Sequence, residues 1–392
     1  MKREGAWCAV IGASEESVRA IRMAQERGYK VVALDGNPEA AGFEAADEAI
    51  CIDIRSASAV VAALEPFGIS FLLPVPMGRW LVTSGCVNDQ LGLKGVGGAA
   101  VERCVDKYAF HNTLSGQGLR AGECVLLNRE NPQPVPTAYP VVVKPRFGSG
   151  SRGVSLVEDA EELCGYLVDL PLDEDYLVET AAPGQEYGLD AAVVDNTLYV
   201  ILLRQKMNTP PPARQCVGYY SVPASEEQLY QRVGAYMRQV VEAVGLNDCL
   251  LHADLMVDGS SVYAIEISPR PSGHSLSALF TPACTGIDPV QQFITLQEGG
   301  SWTFEPENIQ RMLIRFFDFG ECTVTRVPTE EQIASLGESV ADYVCTIAPG
   351  DHLCAVTDGH SVMGRGYVLV RGKSKKELDG VAAKLFSLFE RE

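Results

Sequence analysis

Positive charge is scarce in this sequence. Its 392 residues include 32 Lys and Arg against 51 Asp and Glu, which gives a formal net charge of −19. Nucleic-acid binding depends on clustered Lys and Arg, so the composition argues against a nucleic-acid partner. No apolar run approaches the roughly 18 residues of a membrane span. Residues 1–4 lead into a short apolar stretch that we interpret as a strand instead of a signal peptide, so we expect a cytoplasmic protein without a membrane partner.

Cysteine motifs for metal binding are absent as well. The sequence contains 12 Cys, and no two of them have C-x2–4-C spacing, so no zinc site is predicted. They are spread through apolar segments such as 6–10, which predicts buried, reduced thiols. A catalytic Cys stays open, although none forms a recognisable motif with a His. The apolar content of 46% excludes disorder as the main state. The length predicts about two to four domains.

The first third alternates strands with helical stretches, which predicts a parallel sheet covered by helices. A turn, Gly12-Ala13-Ser14, follows the first strand, and Asp35 ends the second. Both features are typical of a dinucleotide fold, but the G-x-G-x-x-G fingerprint is missing. A Rossmann-like domain without NAD is therefore the preferred interpretation, with NAD binding as the alternative. The predicted strands are 7–12, 29–34, 49–54 and 69–74, with a helix at 15–27; further along, helices are predicted at 101–118 and 226–244.

A loop rich in Gly and Ser follows a predicted strand that ends at Lys144. Small residues allow backbone N–H groups to close over phosphate oxygens, and Lys144 and Arg152 add positive charge. The loop lacks the Gly-Lys-Ser/Thr of a Walker A motif. A phosphate-binding loop and a tight surface loop both fit residues 145–154.

Two carboxylates are predicted to lie side by side on an antiparallel hairpin with its turn at 258–260. Adjacent carboxylates repel, so such a pair is stable mainly when a cation neutralises it, and oxygen ligands beside a phosphate loop favour Mg²⁺. The alternative is a pair of exposed strand acids. The alternation of side chains places on one face of the two strands His252, Asp254, Met256, Ala264, Glu266 and Ser268.

Three further features have both a functional and a structural interpretation. Glu179 and Glu186 flank a turn and could bind a nucleoside, or be two solvated acids. Arg204 and Lys206 could hold a substrate carboxylate, or form a solvated strand end; the prolines at 210–212 that follow predict a stiff loop over the site. His252 is a catalytic or substrate-contacting candidate, or a hydrogen-bonded structural histidine.

The order and spacing of these residues resemble the ATP-grasp superfamily of carboxylate ligases over about residues 1–300. The resemblance implies a Rossmann-like domain at 1–98 that helps to hold the acid substrate. It also implies an ATP-grasp domain at 99–300 that clasps ATP and includes a mobile lid at about 136–182. A C-terminal α/β subdomain then occupies 301–392. Segments 342–352 and 364–370 and the final helix resemble the small C-terminal domain of L-amino-acid ligases.

The resemblance also implies a role for individual residues. Ser268 stands where the family usually has Asn, Asp254 where the nearest subfamily commonly has Glu, and the turn 74–78 lacks an acid that many relatives carry. The implied roles are phosphate binding by Lys107 and Lys144; the phosphate lid at Ser149, Ser151, Arg152 and Gly153; the adenine hinge at Glu179 and Ala182; ribose binding by Glu186; metal binding by Asp254, Glu266 and Ser268; catalysis by Arg270, Lys144 and His252; and substrate contacts from Arg204, Lys206, Arg270, Gly273 and His274.

The function expected from this resemblance is ATP-dependent joining of a carboxylate to an amine through an acyl phosphate. ATP and one or two Mg²⁺ ions, with Mn²⁺ as a substitute, are the expected cofactors. Small-molecule acids and amines are the expected partners, and a homodimer is left open. Alternatives are a ligase of nucleotide biosynthesis or carboxylase type, a non-catalytic ATP-binding protein and, least favoured, a dehydrogenase.

Overall fold

The computed structural model describes residues 5–120, 122–171, 173–210, 215–356 and 359–392. The interpretation of residues 1–4 and the prediction for Pro211 and Pro212 therefore lie outside the described residues. Within those ranges, helix length and apolarity nowhere reach what a bilayer crossing requires.

The first unit is a three-stranded parallel sheet with helices around it. The predicted fourth strand at 69–74 is reduced to one bridge between Ala9 and Leu72. Pro74 and Pro76 lack an N–H, so pairing cannot continue beyond this bridge. The elements are β1 (Trp7–Ile11), α1 (Glu15–Glu26), β2 (Lys30–Asp35), α2 (Ala41–Ala45), β3 (Glu48–Cys51), α3 (Ala57–Leu64), a short 3-10 turn (Glu65–Phe67) and α4 (Leu81–Leu91).

The turn after β1 is filled by the protein's own side chains. Asp35 accepts hydrogen bonds from the backbone N–H groups of Ala13 at 2.8 Å and Asn37 at 2.9 Å. A Cβ added at Gly12 would lie 3.4 Å from the Met77 methyl group, so Met77 covers the turn. The acid that would contact a dinucleotide ribose is thus engaged locally, which supports the preferred interpretation of this unit.

The predicted single helix at 101–118 is wrong, because it is divided at Asp106. The two pieces are α5 (Gly98–Val105) and α6 (Lys107–Gly116). Asp106 has extended backbone angles, and its carboxylate caps α6 by accepting from the N–H groups of Tyr108 and Ala109. The break makes Lys107 the first residue of α6 instead of a mid-helix residue.

A four-stranded antiparallel sheet forms a separate layer with its own apolar core. Its strand order is β4-β7-β5-β6. Leu127, Val141, Val143 and Val178 are buried between this sheet and its helix. The elements are β4 (Cys124–Leu127), β5 (Val141–Pro145), β6 (Ser155–Val157), α7 (Ala160–Asp169) and β7 (Tyr176–Thr180).

The largest sheet has eight strands in the order β12-β11-β8-β9-β10-β13-β17-β15 and is antiparallel wherever its strands pair. Its strands are β8 (Gln185–Val194), β9 (Thr197–Asn208), β10 (Cys216–Ser221), β11 (Cys249–Asp258), β12 (Ser261–Ser268), β13 (Met312–Phe316), β15 (Val340–Cys345) and β17 (Gly366–Arg371). The C-terminal strands therefore extend the sheet that carries the predicted metal residues.

Helices and short elements complete the second half. The predicted helix at 226–244 is confirmed as α8, whose Val233, Met237 and Val240 pack against Leu203 and Leu251 of the large sheet. Strands β16, β14 and β18 form a small separate sheet. The elements are α8 (Glu227–Val244), a π turn (Leu276–Phe280), α9 (Thr281–Thr285), α10 (Pro289–Gln297), β14 (Cys322–Arg326), α11 (Glu330–Ala334), a 3-10 turn (Gly337–Ser339), β16 (His352–Leu353), α12 (Gly359–Met363), α13 (Lys375–Phe386) and β18 (Glu390–Arg391).

All 12 cysteines are unpaired, but the prediction that they are buried holds only for some. Cys51, Cys164 and Cys354 are exposed, and five others are buried. The mixed α/β fold class predicted from the alternation of strands and helices is confirmed.

Candidate active site

A cleft of about 170 Å³ lies between the four-stranded sheet and the β11–β12 edge of the large sheet. The two sheets and α6 contribute side chains to the same cleft, although the residues are up to 160 positions apart. Predicted site residues that line it are Lys107, Lys144, Ser149, Ser151, Arg152, Glu179, Ala182, Glu186, Asp254 and Glu266.

Glu179 is the centre of a buried charge cluster at the back of this cleft. Its carboxylate contacts Lys144 Nζ at 2.6 Å, His111 Nε2 at 2.8 Å and Arg120 at 3.2 Å. Burial alone would raise the pKa of Glu179, but Lys144, then His111 and Arg120, hold that pKa well below its usual range. The Glu179 side chain is therefore engaged within the protein, and the neighbouring Thr180 and Ala182 line the cleft.

His111 is neutral in this cluster. Burial lowers its pKa to about 4, although Glu179 acts in the opposite direction. Arg120 donates to Nδ1 at 2.6 Å, so the imidazole proton is assigned to Nε2, which donates to Glu179. Sequence analysis missed His111 and Arg120; the spacing of four residues between Lys107 and His111, which places both on one face of α6, was the available signal.

The glycine loop is held in its first half by contacts at Arg146 and Gly148. Lys107 Nζ donates to the carbonyl of Gly148 at 2.7 Å. Arg146, at the base of the loop, forms ion pairs with Asp106 at 2.5 Å and Asp175 at 2.9 Å. Positive φ angles recur within the loop at Gly148, Gly150, Ser151 and Gly153, a conformation that favours glycine and turns the backbone sharply.

Asp254 and Glu266 lie directly opposite each other in the β11–β12 pair, as predicted. Beyond them the pairing shifts by a bulge, so Ala264 lies opposite Leu255, and the predicted common face does not extend to Ala264. Ser268 lies opposite His252. The alternative of two exposed strand acids does not fit, since the Asp254 side chain is only 15% exposed.

These oxygens fit a divalent cation. Asp254 Oδ1 is buried and has no hydrogen-bond partner among the described residues. Glu266 is 36% exposed and has Lys107 Nζ at 3.9 Å. No cluster of three or more His, Cys, Asp or Glu side chains with metal-binding geometry occurs in the described ranges, so the remaining ligands must come from Ser268, water or a substrate.

Lys206 is buried between two carboxylates. Its Nζ lies 2.6 Å from Asp254 Oδ2 and 2.8 Å from Glu186 Oε1, and Asn208 donates to the other Glu186 oxygen at 2.6 Å. Burial lowers the pKa of Lys206, but Asp254 and then Glu186 raise it well above its ordinary value. The alternative of a solvated strand end is therefore wrong for Lys206.

Arg204 is completely buried, so a solvated strand end is wrong here too. Its terminal nitrogens bind both oxygens of Asp190 at 2.8 and 2.9 Å, and one also donates to Ser272 at 3.1 Å. His252 Nδ1 lies 3.3 Å away. Arg204 thus holds the 268–274 loop through Ser272. Its guanidinium is bound to Asp190 and does not face a substrate, contrary to one of the two interpretations.

Arg270 lies in that loop beside the metal candidates. It donates to the carbonyl of Pro271 at 2.8 Å, and its Nε is buried without a partner in the described part of the chain. Burial lowers the pKa of Arg270, whereas the negative charges of Glu266, Glu16 and Asp254 act to raise it.

Glu16 was not predicted as part of the site. It comes from the first turn of α1 and accepts a hydrogen bond from the backbone N–H of His274. A Cβ added at Gly273 would lie 3.1 Å from Glu16 Oε2, so the missing side chain lets the loop approach the helix. Acidic residues in the first turn of a helix are common, and nothing in the sequence singled out this one.

Comparison with known proteins agrees with this geometry. Residues 137–278 match the family described as the ATP-grasp domain. This stretch of the chain is similar to an ATP-grasp domain. The resemblance recognised from the order of Lys144, Glu179, Asp254, Glu266 and Arg270 is thereby confirmed.

The whole chain shares its fold with ATP-grasp enzymes of known structure. The L-amino acid ligase from Bacillus licheniformis superposes with a TM-score of 0.80 and 18% identity, covering 100% of this chain and 99% of that one. The biotin carboxylase domain of the 2-oxoglutarate carboxylase from Hydrogenobacter thermophilus, crystallised with MgADP and bicarbonate, superposes with a TM-score of 0.68 and 16% identity, covering 98% and 90%. At these identities the similarity shows the fold alone.

One curated protein similar to this chain is the carbamoyl phosphate synthase large chain of Thermoplasma volcanium. The two are 26% identical over 299 residues, which cover 70% of this chain and 28% of the relative. The chain spans about a quarter of the length of the curated relatives it matches.

Proposed function

We propose that this protein is an ATP- and Mg²⁺-dependent ligase that joins a carboxylate to an amine, with amino acids as substrates, and releases ADP and phosphate. One observation carries the proposal. A single cleft combines two lysines and a glycine loop with an opposed pair of carboxylates, and the partly buried Arg270 lies in the loop that follows β12. This is the set of charges that transfer of a phosphoryl group to an acid requires.

The nucleotide half of the cleft comes from α6 and the four-stranded sheet. Lys107 and Lys144 would contact the phosphates, together with the loop serines and Arg152, all of which line the cleft. Gly153 would let the backbone of the same loop turn over the phosphates. The turn that ends in Ala182 would receive the adenine, and Glu186 would accept from the ribose. Lys144 is already oriented by Glu179, so its ammonium is preorganised.

Asp254 and Glu266 would hold Mg²⁺, with Ser268 as a weaker ligand. When bound, Mg²⁺ supplies positive charge that neutralises the phosphate oxygens. The unpartnered Asp254 Oδ1 and the accessible Glu266 are the oxygens free to do so.

The reaction then has two steps. A carboxylate oxygen of the acid attacks the γ-phosphorus, and the bond from that phosphorus to ADP breaks, giving an acyl phosphate. The amine nitrogen attacks the acyl carbon, loses a proton, and phosphate leaves. Arg270 would stabilise the transferring phosphoryl oxygens and Lys144 would orient them, while Gly273 and His274 would border the substrates. His252, 3.7 Å from Asp254 Oδ1, would orient the metal ligand.

A second candidate is an ATP-grasp ligase that uses another acid, as in nucleotide biosynthesis or carboxylation. The sequence similarity to carbamoyl phosphate synthase large chains favours it. Both candidates require an acyl-phosphate type of intermediate, and they differ in the acid that is activated.

Trapping the intermediate tests the proposal. The protein is incubated with ATP, Mg²⁺, hydroxylamine and a panel of amino acids and other acids, and hydroxamate and phosphate are measured. We expect hydroxamate with amino acids; hydroxamate only with other acids would favour the second candidate.

Arg270→Ala should lower both products by about 10²–10³-fold with ATP binding changed much less, whereas Arg371→Ala, an exposed control, should leave both products unchanged. ATP hydrolysis without any hydroxamate would contradict the ligase proposal, and ATP binding without turnover would favour a binding protein.

A further inference from the structure

Lys206 occupies a position in the site that the reaction proposed above does not use. Its ammonium group lies between Glu186 and Asp254, at 2.8 and 2.6 Å, and its side chain is only 7% exposed. A buried ammonium is costly unless it is paired, and these are its two ion-pair partners among the described residues. Lys206 is therefore held on one of the two predicted metal carboxylates.

The backbone determines this placement. Glu186 and Asp254 come from the adjacent strands β8 and β11, and Lys206 from β9 on the other side of β8. Gly188 lies between them, opposite Asp254 on one strand and Arg204 on the other. A Cβ at position 188 would lie 3.3 Å from the Arg204 guanidinium, so the missing side chain leaves room for Arg204, while Lys206 reaches Asp254 on β11.

The ion pairs of Lys206 limit which carboxylate oxygens remain for metal ions. One Asp254 oxygen accepts from Lys206, and both Glu186 oxygens are bound to Lys206 and Asn208. The carboxylate oxygens left for a metal ion are Asp254 Oδ1, which is buried without a hydrogen-bond partner among the described residues, and those of Glu266, which has Lys107 Nζ at 3.9 Å. Ser268, two residues after Glu266 on β12, is neutral and adds no negative charge.

We infer that this site holds a single divalent cation, between Asp254 Oδ1 and Glu266, and that the Lys206 ammonium supplies the positive charge that a second ion would otherwise bring. The Lys206 ammonium belongs to the protein and is held by two carboxylates, so it needs no separate binding step. A second Mg²⁺ would have to share Asp254 with this ammonium at close range, which like-charge repulsion opposes. This inference rests on the proposed function, because it assumes that a nucleotide–metal complex enters the cleft.

Counting metal ions tests the inference directly. Mn²⁺ is titrated into the full chain with a saturating non-hydrolysable ATP analogue, and free Mn²⁺ is followed by electron paramagnetic resonance. We expect one Mn²⁺ per chain in the nucleotide complex. We also expect a spectrum without the coupling that two ions about 3.5–4 Å apart would produce.

Two variants connect the count to Lys206. Lys206→Met removes the charge but keeps much of the side-chain volume, so the count should rise to two and spin coupling should appear. Lys206→Arg keeps the charge and should retain one ion. Circular dichroism identifies any variant that fails to fold. In that case the number of Mn²⁺ ions bound by the wild type still decides between a one-ion and a two-ion site.

The outcomes separate the two proposals. Two coupled ions in a wild-type protein that releases phosphate would overturn this inference and leave the ligase proposal intact. A folded Lys206→Met protein that still binds one ion would overturn the role of Lys206. No nucleotide-dependent Mn²⁺ binding in the wild type, together with no phosphate release, would overturn both.

Discussion

Charges buried at single residues set the chemistry of this cleft. Glu179 is ionised because Lys144, His111 and Arg120 surround it, and Asp254 lies against the buried ammonium group of Lys206. Sequence analysis identified Lys144, Glu179 and Asp254 from strand ends and spacing. It did not identify the partners Arg120 and Lys206 as such, since the charge that a side chain meets across a fold depends on non-local packing.

Glu266 should be required for metal-dependent turnover but not for folding. Its carboxylate is 36% exposed, so Glu266→Ala should change the free energy of unfolding by about 1 kcal/mol or less. Loss of the ligand should reduce phosphate release by about 10²-fold or more. Phosphate assays and urea unfolding measure the two effects, with Glu338→Ala at an exposed position as control. Near-normal turnover in Glu266→Ala would show that the metal assignment is wrong.

Stability should fall as the pH is lowered, because of His111. Its pKa is about 4 in the folded protein against 6.5 ordinarily, so between these values the unfolded chain binds a proton that the folded chain does not. That contribution is complete above about pH 6.5 and is lost as pH falls towards 4. The depressed pKa of Glu179 acts in the same direction at lower pH.

Replacement of His111 should flatten this dependence. Between pH 7 and pH 5, the loss in unfolding free energy should be about 2 kcal/mol smaller in His111→Asn than in the wild type. Urea denaturation at the two pH values measures it. His352→Asn, at an exposed histidine, should keep the wild-type slope. Equal slopes in all three proteins would contradict a neutral buried His111.

At the scale of elements, the start of α6 and the glycine loop are held together by two side-chain contacts. Asp106 caps α6 and also binds Arg146 at the base of the loop, while Lys107 binds the loop carbonyl of Gly148. The sequence predicted the loop and the strand before it, because glycine and β-branched residues are strong local signals. It missed the helix break, since residues on both sides of Asp106 continue a helical pattern and the cap depends on local backbone geometry.

Two substitutions at Asp106 should separate its two roles. Asp106→Asn keeps a side-chain oxygen for the cap but loses the charge that faces Arg146, whereas Asp106→Ala loses both. We expect Asp106→Ala to lower the free energy of unfolding by about 1 kcal/mol more than Asp106→Asn. Both should raise the KM for ATP severalfold, because the loop base is released. Urea unfolding and ATP titration of phosphate release check this; an unchanged KM in both variants would argue against coupling between cap and loop.

On the scale of the whole molecule, the cleft joins parts of the chain that local patterns cannot bring together. Glu16 from the first unit contacts the loop 273–274, and Lys144 comes from the four-stranded sheet. Glu266 comes from the large sheet, whose far edge is made by the C-terminal strands. Fold class and the order of site residues were predictable because they depend on local periodicity and on family resemblance. The extension of the sheet by β13, β17 and β15 was not, because strand order is set by long-range pairing. The domain boundaries at 98, 300 and within 136–182 stay predictions.

The contact between α1 and the 268–274 loop should affect kcat, because it positions the loop that carries Arg270. Glu16 accepts the backbone N–H of His274 and faces Gly273, so it fixes the loop that carries Arg270 against the first unit. Glu16→Ala removes the acceptor, and Glu16→Gln retains an oxygen that can accept the same hydrogen bond. If Glu16 acts only by positioning, Glu16→Ala should lower kcat for phosphate release by up to about 10²-fold with little change in KM for ATP, and Glu16→Gln should recover most of the loss. Steady-state kinetics of both variants measure this split. Equal losses in Glu16→Ala and Glu16→Gln, with a raised KM for the amine or acid, would instead show that the negative charge contacts a substrate. Wild-type kinetics in both would show that the loop holds its position without α1.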